Sequence, residues 1–167
     1  MAGMVVSASA QKTKIGYANV ELIMVYMPEV AKANRSLETY GNQLKKNIRV
    51  KSDYYQVRLN EYYEKNQSNG FANAAAKKAL ESELMKLEQE VQRMTSESEI
   101  KLQQKQQELM NPIMIQIQGK IDEVAREGNF TYILNQTTGM NILYGLETMN
   151  ITEELAAKLG VTIPKNW

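Results

Sequence analysis

The chain has 167 residues, with 20 Lys and Arg against 19 Asp and Glu for a formal net charge of +1, and it contains neither Cys nor His. That balance gives no overall pull toward nucleic acid or an anionic membrane, and the two absences exclude thiol nucleophiles, Cys or His metal sites and His general bases. Carboxylates remain, but they lie among Lys and Gln on helical stretches with no pocket to converge in, so neither an enzyme nor a cofactor is expected.

Residues 1–10 (MAGMVVSASA) end in Ala8-Ser9-Ala10, the small-x-small form of a signal-peptidase site. The stretch reads as the tail of a secretory signal whose beginning is missing, with the mature chain starting near Gln11. Lys14 to Val20 alternates, with Ile15 and Tyr17 on one side, and predicts a short strand. Glu21 to Met27 fits a helical turn or more strand, and Pro28 suits the first turn of a helix, where a missing N–H costs nothing.

From residue 29 to 127 the pattern is that of two helices folded back on each other. Val30, Ala33, Leu37, Tyr40, Leu44, Ile48, Tyr55, Leu59 and Tyr62 recur at steps of three and four. Leu80, Leu84, Leu87, Val91 and Met94, then Leu102, Leu109, Ile113, Ile117, Ile121 and Val124, make the return. Asn66 to Gly70 between them is a cluster of turn formers. At 1.5 Å per residue the arms would run roughly 60 Å and 80 Å. A seam of two apolar residues per heptad fits a coiled-coil partner and leaves the other faces wet. Gly41 weakens the first arm by about 1 kcal/mol relative to Ala, and Pro112 removes a backbone bond from the second. Both are candidate hinges. Above Pro112 the polar run Thr95 to Gln107 is thinly apolar; below it the density of Ile residues predicts packing into something thicker than a two-helix coil.

Charge is unevenly spread. From Lys32 to Arg58 seven basic residues face two acidic ones, whereas Lys77 to Glu127 carries eight basic and ten acidic residues. The plain reading is complementary arms; the functional one is a basic surface for an acidic or anionic partner.

The second arm ends at Glu127-Gly128-Asn129, with Gly128 expected as a left-handed cap. Phe130 to Asn135 and Met140 to Leu146 read as strands of a hairpin turned at Gln136 to Gly139. Asn150-Ile151-Thr152-Glu153 has capping-box spacing for a short helix ended by Gly160, followed by a tail, residues 161–167. The expected domains are thus a signal remnant (1–10), a β body from residues 11–28 and 128–167, and a helical hairpin from 29 to 127 with its tip near 66–71. Three short strands and a small helix cannot bury enough surface alone. The economical fold is α+β, mostly α: a long antiparallel helical hairpin on a small β-sheet that closes into a shared barrel in an oligomer. Ile15, Tyr17, Ile133, Ile142 and Tyr144 are the candidate interface residues.

Three stretches carry a family resemblance: KIGYANVELI (Lys14 to Ile23), IDEVAREGNFTYILNQT (Ile121 to Thr137) and ILYGLETMNITEELAAKLG (Ile142 to Gly160). With them the chain resembles the Skp (OmpH-like) periplasmic chaperones of Gram-negative bacteria, whose order of strand, helical hairpin, two strands and short helix matches the reading above. The resemblance implies a jellyfish-shaped homotrimer and an ATP-independent holdase that keeps unfolded outer-membrane proteins from aggregating in the periplasm. The near-neutral charge departs from the basic character of well-studied members, which bears on how strongly acidic clients and anionic membranes are attracted.

A holdase needs many weak contacts in a sheltered space. Tyr54 and Tyr63, with Lys51 and Arg58 beside them and Phe71 at the tip, are the candidate client contacts, since tyrosine offers an apolar ring with a polar end. Ten methionines add adaptable contacts. The expected partners are unfolded outer-membrane proteins and further copies of the chain, with weak contact to an anionic membrane surface and none to nucleic acid, for which no recognised motif is present. The competing class is a structural coiled-coil protein, an envelope tether or assembly scaffold, which would use the same seam and need no cavity.

Overall fold

The computed structural model describes residues 13–137 and 142–164. The expected signal remnant, residues 138–141 of the expected strand hairpin and the last three residues of the tail lie outside them. The elements run β1 (Ile15–Ala18), α1 (Val20–Tyr26), α2 (Pro28–Gln67), α3 (Ala74–Glu127), β2 (Tyr132–Asn135), a 3-10 turn (Glu147–Met149) and α4 (Thr152–Lys158). The chain divides into two compact units. One contains Lys32–Met110; the other contains both ends of the chain, Met1–Ala31 and Asn111–Trp167.

The unit of 32–110 is the antiparallel pairing of α2 with α3. Its seam is the one the periodicity predicts: Ala33, Leu80, Leu84 and Leu87 are buried, and Leu37, Tyr40, Leu44, Ile48, Tyr55, Leu59 and Tyr62 are half-buried. Two-helix packing cannot do more, because each helix has only one neighbour. Gly41 is placed where the helices approach closely: a Cβ there would stand 3.3 Å from Leu102 Cδ1. At the tip, Asn69 takes a left-handed φ of 50° and the Gly70 N–H donates to the Lys65 carbonyl at 2.8 Å. The Asn73 side chain then caps α3 by accepting from the Ala76 N–H at 2.8 Å.

The other unit has a small core of its own. Ala18, Val20, Ile23 and Met27 meet Ile113, Ile117 and Val124 of α3 and Ile151, Leu155 and Ala156 around α4, all buried. The Ile-rich end of α3 is therefore packed into more than a two-helix coil, as its composition predicts. Truncating any of the fully buried large side chains Ile23, Ile117 or Leu155 to Ala would cost about 2–5 kcal/mol. A polar knot fixes how the short elements start. The Asn19 side chain accepts from Leu22 N–H and so caps α1. The buried Thr152 hydroxyl accepts from Asn19 N–H at 3.0 Å and donates to Asn150 Oδ1 at 2.6 Å. Asn150 also accepts from Thr152 N–H, but the expected capping box is not made: the N-cap of α4 is Ile151, without a side-chain cap bond. Residues 21–26, ambiguous by sequence, are helical because the Asn19 cap is in place.

Two further expectations are corrected here. The strands do not form a C-terminal antiparallel hairpin: β2 pairs with β1 in parallel, Ile15 opposite Tyr132 through Ala18 opposite Asn135. Residues 142–146 form no strand. The far side of β1 is occupied by a bridge from Tyr17 to Asn150, and Gly145 lies against the Tyr17 ring, where a Cβ would fall 2.6 Å from Cε1. In the lone chain these residues thus have no free edge of β1 to join. Second, the left-handed residue after α3 is Asn129, with φ 52°, not Gly128. Gly128 is required for a different reason: any Cβ would overlap the Phe130 ring. The cap is a Schellman arrangement, with Phe130 N–H donating to the Ala125 carbonyl at 2.9 Å.

Candidate functional site

Two surfaces, one in each unit, gather the residues that sequence reasoning singled out. On the hairpin, α2 places Lys51, Tyr54, Arg58 and Tyr62 one to two turns apart, so they line up beside the seam. Arg58 holds Glu83 on α3 with both ends of its fork, Nε to Oε1 at 3.0 Å and Nη2 to Oε2 at 2.6 Å, while Nη1 reaches Glu61 on its own helix. The Tyr54 hydroxyl donates to the same Glu83 at 3.2 Å. Lys51 pairs with Glu90 at 3.0 Å. The hydrogen bond from Arg58, more than its charge, holds the Glu83 carboxyl below the usual carboxylate range, and Glu83 in turn raises Arg58 above the usual guanidinium value.

The two basic residues expected to reach clients are therefore engaged across the arms. Tyr54 and Tyr63 stay about half exposed, at 48% and 54%. Phe71 is half-buried and leans on Tyr62, ring centroids 5.8 Å apart, while Tyr63 meets the same ring edge-on at 5.9 Å. Phe71 is thus packed against Tyr62 at the tip. Sequence reasoning missed Val50, Val57, Met85 and Ile100, all more than half exposed. Val50 and Val57 were legible as a seven-residue step that falls off the seam; no local signal marks the other two.

In the other unit, β1 and β2 form a two-stranded sheet whose paired residues share a face. Ile15, Tyr17, Tyr132 and Leu134 point one way; Gly16, Ala18, Ile133 and Asn135 point the other. The first face is bare: Ile15 is 46% exposed, Tyr132 61% and Leu134 40%. Beside it Leu143, Tyr144 and Leu146 stand out at 95%, 83% and 55%, and Ile142 is half-buried. By the register Ile133 lies on the opposite face of the sheet from Ile15 and Tyr17. Ile133 faces inward and, with Ile117, Ile121 and Met114, lines a cleft of about 230 Å³. Tyr132 and Leu134 take its place on the outer face, a parity no sequence reading fixes without knowing the partner strand.

Among the described residues no cluster of three or more acidic side chains could hold a metal ion.

The family model described as outer membrane protein (OmpH-like) matches residues 14–159. The chain belongs to the OmpH-like family. The match spans the entry strand, both arms and α4, and includes the stretches that carried the resemblance except for the final Gly160. No curated protein matches the chain. At family level an OmpH-like protein is a periplasmic, envelope-associated chaperone of outer-membrane proteins, and the family is generally non-enzymatic. Among the described residues no helix is long and apolar enough to cross a membrane.

Proposed function

We propose that this OmpH-like protein is an ATP-independent holdase, a homotrimer that keeps unfolded outer-membrane proteins apart in a space between its arms. The observation that carries the reading is the surface of the hairpin. Tyr54, Tyr63, Val50, Val57 and Met85 stay exposed on helices held by a narrow seam. Such scattered, adaptable apolar contacts bind many sequences weakly, and several arms around one chain add them into useful affinity.

Assembly is supported by the outer sheet face. Contiguous exposed apolar residues on this scale mark interaction surfaces in folded proteins. The outer edge of β2 also lacks a strand partner among the described residues, and Ile142 to Leu146 offers an apolar segment with none either. A closed ring of copies satisfies both. Lys32, Arg35 and Lys46, which lie on the side of α2 away from the seam and make no ion pair among the described residues, support weak contact with an anionic membrane surface.

The test is the solution mass of the chain with and without an equimolar outer-membrane β-barrel protein diluted from urea. A trimer that gains one client and prevents its precipitation is the expected result. A monomer or dimer that lets the client aggregate would overturn the reading and favour the envelope tether.

A further inference from the structure

Side-chain hydrogen bonds and ion pairs between α2 and α3 within residues 32–110 are, among the described residues, confined to one half of the hairpin. Lys51–Glu90, Tyr54–Glu83 and Arg58–Glu83 are joined by a Tyr62 hydroxyl donating to Glu81 at 2.9 Å and Lys77 reaching Asn66 at 2.8 Å. All lie between residue 51 and the tip on α2 and between the tip and residue 90 on α3. In the other half, among the described residues, every side-chain hydrogen bond and ion pair stays on its own helix: Gln43 with Asn47, Arg93 and Lys101 with Glu97, Lys105 with Glu108. On α3 apolar burial follows the same division, while on α2 the seam is half-buried in both halves and Ala33 is buried. Leu80, Leu84 and Leu87 are buried opposite the polar contacts, whereas Leu102, beside Gly41, is 37% exposed.

We propose that Arg58 and Glu83 form an electrostatic clasp that holds the distal arms, about residues 51–90, as one block, and that ionic strength sets how often the block opens. The geometry suits the role. A forked guanidinium on a carboxylate fixes both distance and twist between the helices, which a lysine could not do. Glu83 receives both Arg58 contacts and the Tyr54 hydroxyl, so removing Arg58 leaves a partly shielded carboxylate on the seam with a single weak donor. The pair keeps enough contact with water, at side-chain exposures of 26% and 36%, for salt to screen it. Pairs within one helix do not hold the arms together at all, so the other half should respond to salt only weakly. That opening the clasp widens the space for a client rests on the holdase reading; the clasp itself does not.

The experiment is amide hydrogen exchange of the full chain without client, at low and high sodium chloride, for the parent, Arg58→Gln and Arg58→Lys. In the parent, exchange of residues 51–66 and 77–90 should quicken by roughly three- to tenfold with salt, and that of 37–48 and 95–107 by much less. Arg58→Gln should show the faster distal exchange already at low salt and little further response. Arg58→Lys, which keeps the charge and loses the fork, should fall between. Distal exchange in the parent that ignores salt would overturn the clasp. So would an Arg58→Gln chain that loosens both halves equally. Because no client is present, either failure is separate from a failure of the holdase reading.

Discussion

Lys158 of α4 donates to Glu123 of α3 at 2.7 Å and to Glu127 one turn further on, tying the last helix to the end of the long one. Lys120 holds the same Glu123 from its own helix at 2.8 Å. Hydrogen bonds from Lys120 and then Lys158 lower the Glu123 carboxyl from its ordinary 4.5 to about 2, and Glu123 first, then Glu127, raises Lys158 from 10.5 to about 12.

The signs give two pH windows. A depressed carboxyl stabilises the docked α4 above its ordinary pKa, and that contribution drains away as pH falls from 4.5 toward 2. A raised ammonium contributes fully below its ordinary pKa, and the contribution is lost as pH climbs from 10.5 toward 12. NMR shifts of Ala156 and Ala157 should therefore stay flat between the windows and move within each. In Lys158→Met both movements should shrink, the alkaline one to nothing; a parent chain whose shifts drift evenly with pH would contradict the tie.

The end of α3 makes opposite demands on adjacent residues. Asn129 carries a left-handed φ of 52°, which costs most side chains about 1–2 kcal/mol, so Asn129→Ala should lower stability by about 1 kcal/mol while Asn129→Gly is near neutral. Gly128→Ala should be worse than either, since its Cβ would collide with the Phe130 ring and that ring sits under Lys14, 4.1 Å from its centroid. Denaturant midpoints of the three variants check the order. If Asn129→Ala proved the most damaging, the assignment of strain to Asn129 alone would be insufficient.

This junction also shows what the sequence discloses. Turn chemistry marks that α3 stops near Gly128, because Gly and Asn together end helices. Which of the two turns left-handed depends on Phe130, three-dimensional information that local propensity lacks. The arms were legible almost residue by residue, since a helix declares its buried stripe in a 3.6-residue period. The sheet was not. Its two strands lie 117 positions apart at Lys14 and Thr131, whose contacts close the parallel pair, and nothing local says that Tyr132 will face the same way as Ile15. For the same reason Lys51 and Arg58 could be seen as a basic surplus in the first arm, but not as partners of Glu90 and Glu83.

If the outer sheet face is an assembly surface, Tyr132→Asp separates folding from association. Tyr132 is 61% exposed, so in a lone chain the change should cost within about 0.5 kcal/mol and leave the helix content intact. Buried in an interface, an aspartate without a partner would cost several kcal/mol and break the oligomer. The expected outcome is unchanged circular dichroism with a solution mass that falls to one chain. A Tyr132→Asp protein that keeps the parent mass would move the interface elsewhere.

Gly41 and Pro112 are the two places where helix chemistry is weakest, and their replacement tests whether flexure of the arms matters to clients. Gly41→Ala should gain up to about 1 kcal/mol of helix propensity. The new Cβ would meet only the end of the Leu102 side chain at 3.3 Å, and that side chain is exposed enough to swing aside. α3 runs unbroken through Pro112, which has no N–H for the Glu108 carbonyl one turn back. Pro112→Ala should therefore restore a backbone bond and stabilise by about 1–3 kcal/mol. Both variants should raise the thermal midpoint. If the arms must bend to admit larger clients, both should also narrow the range of outer-membrane proteins kept soluble, with the longest lost first. Stabler arms with an undiminished client range would mean that Gly41 serves close packing and Pro112 is tolerated, and that neither is a hinge.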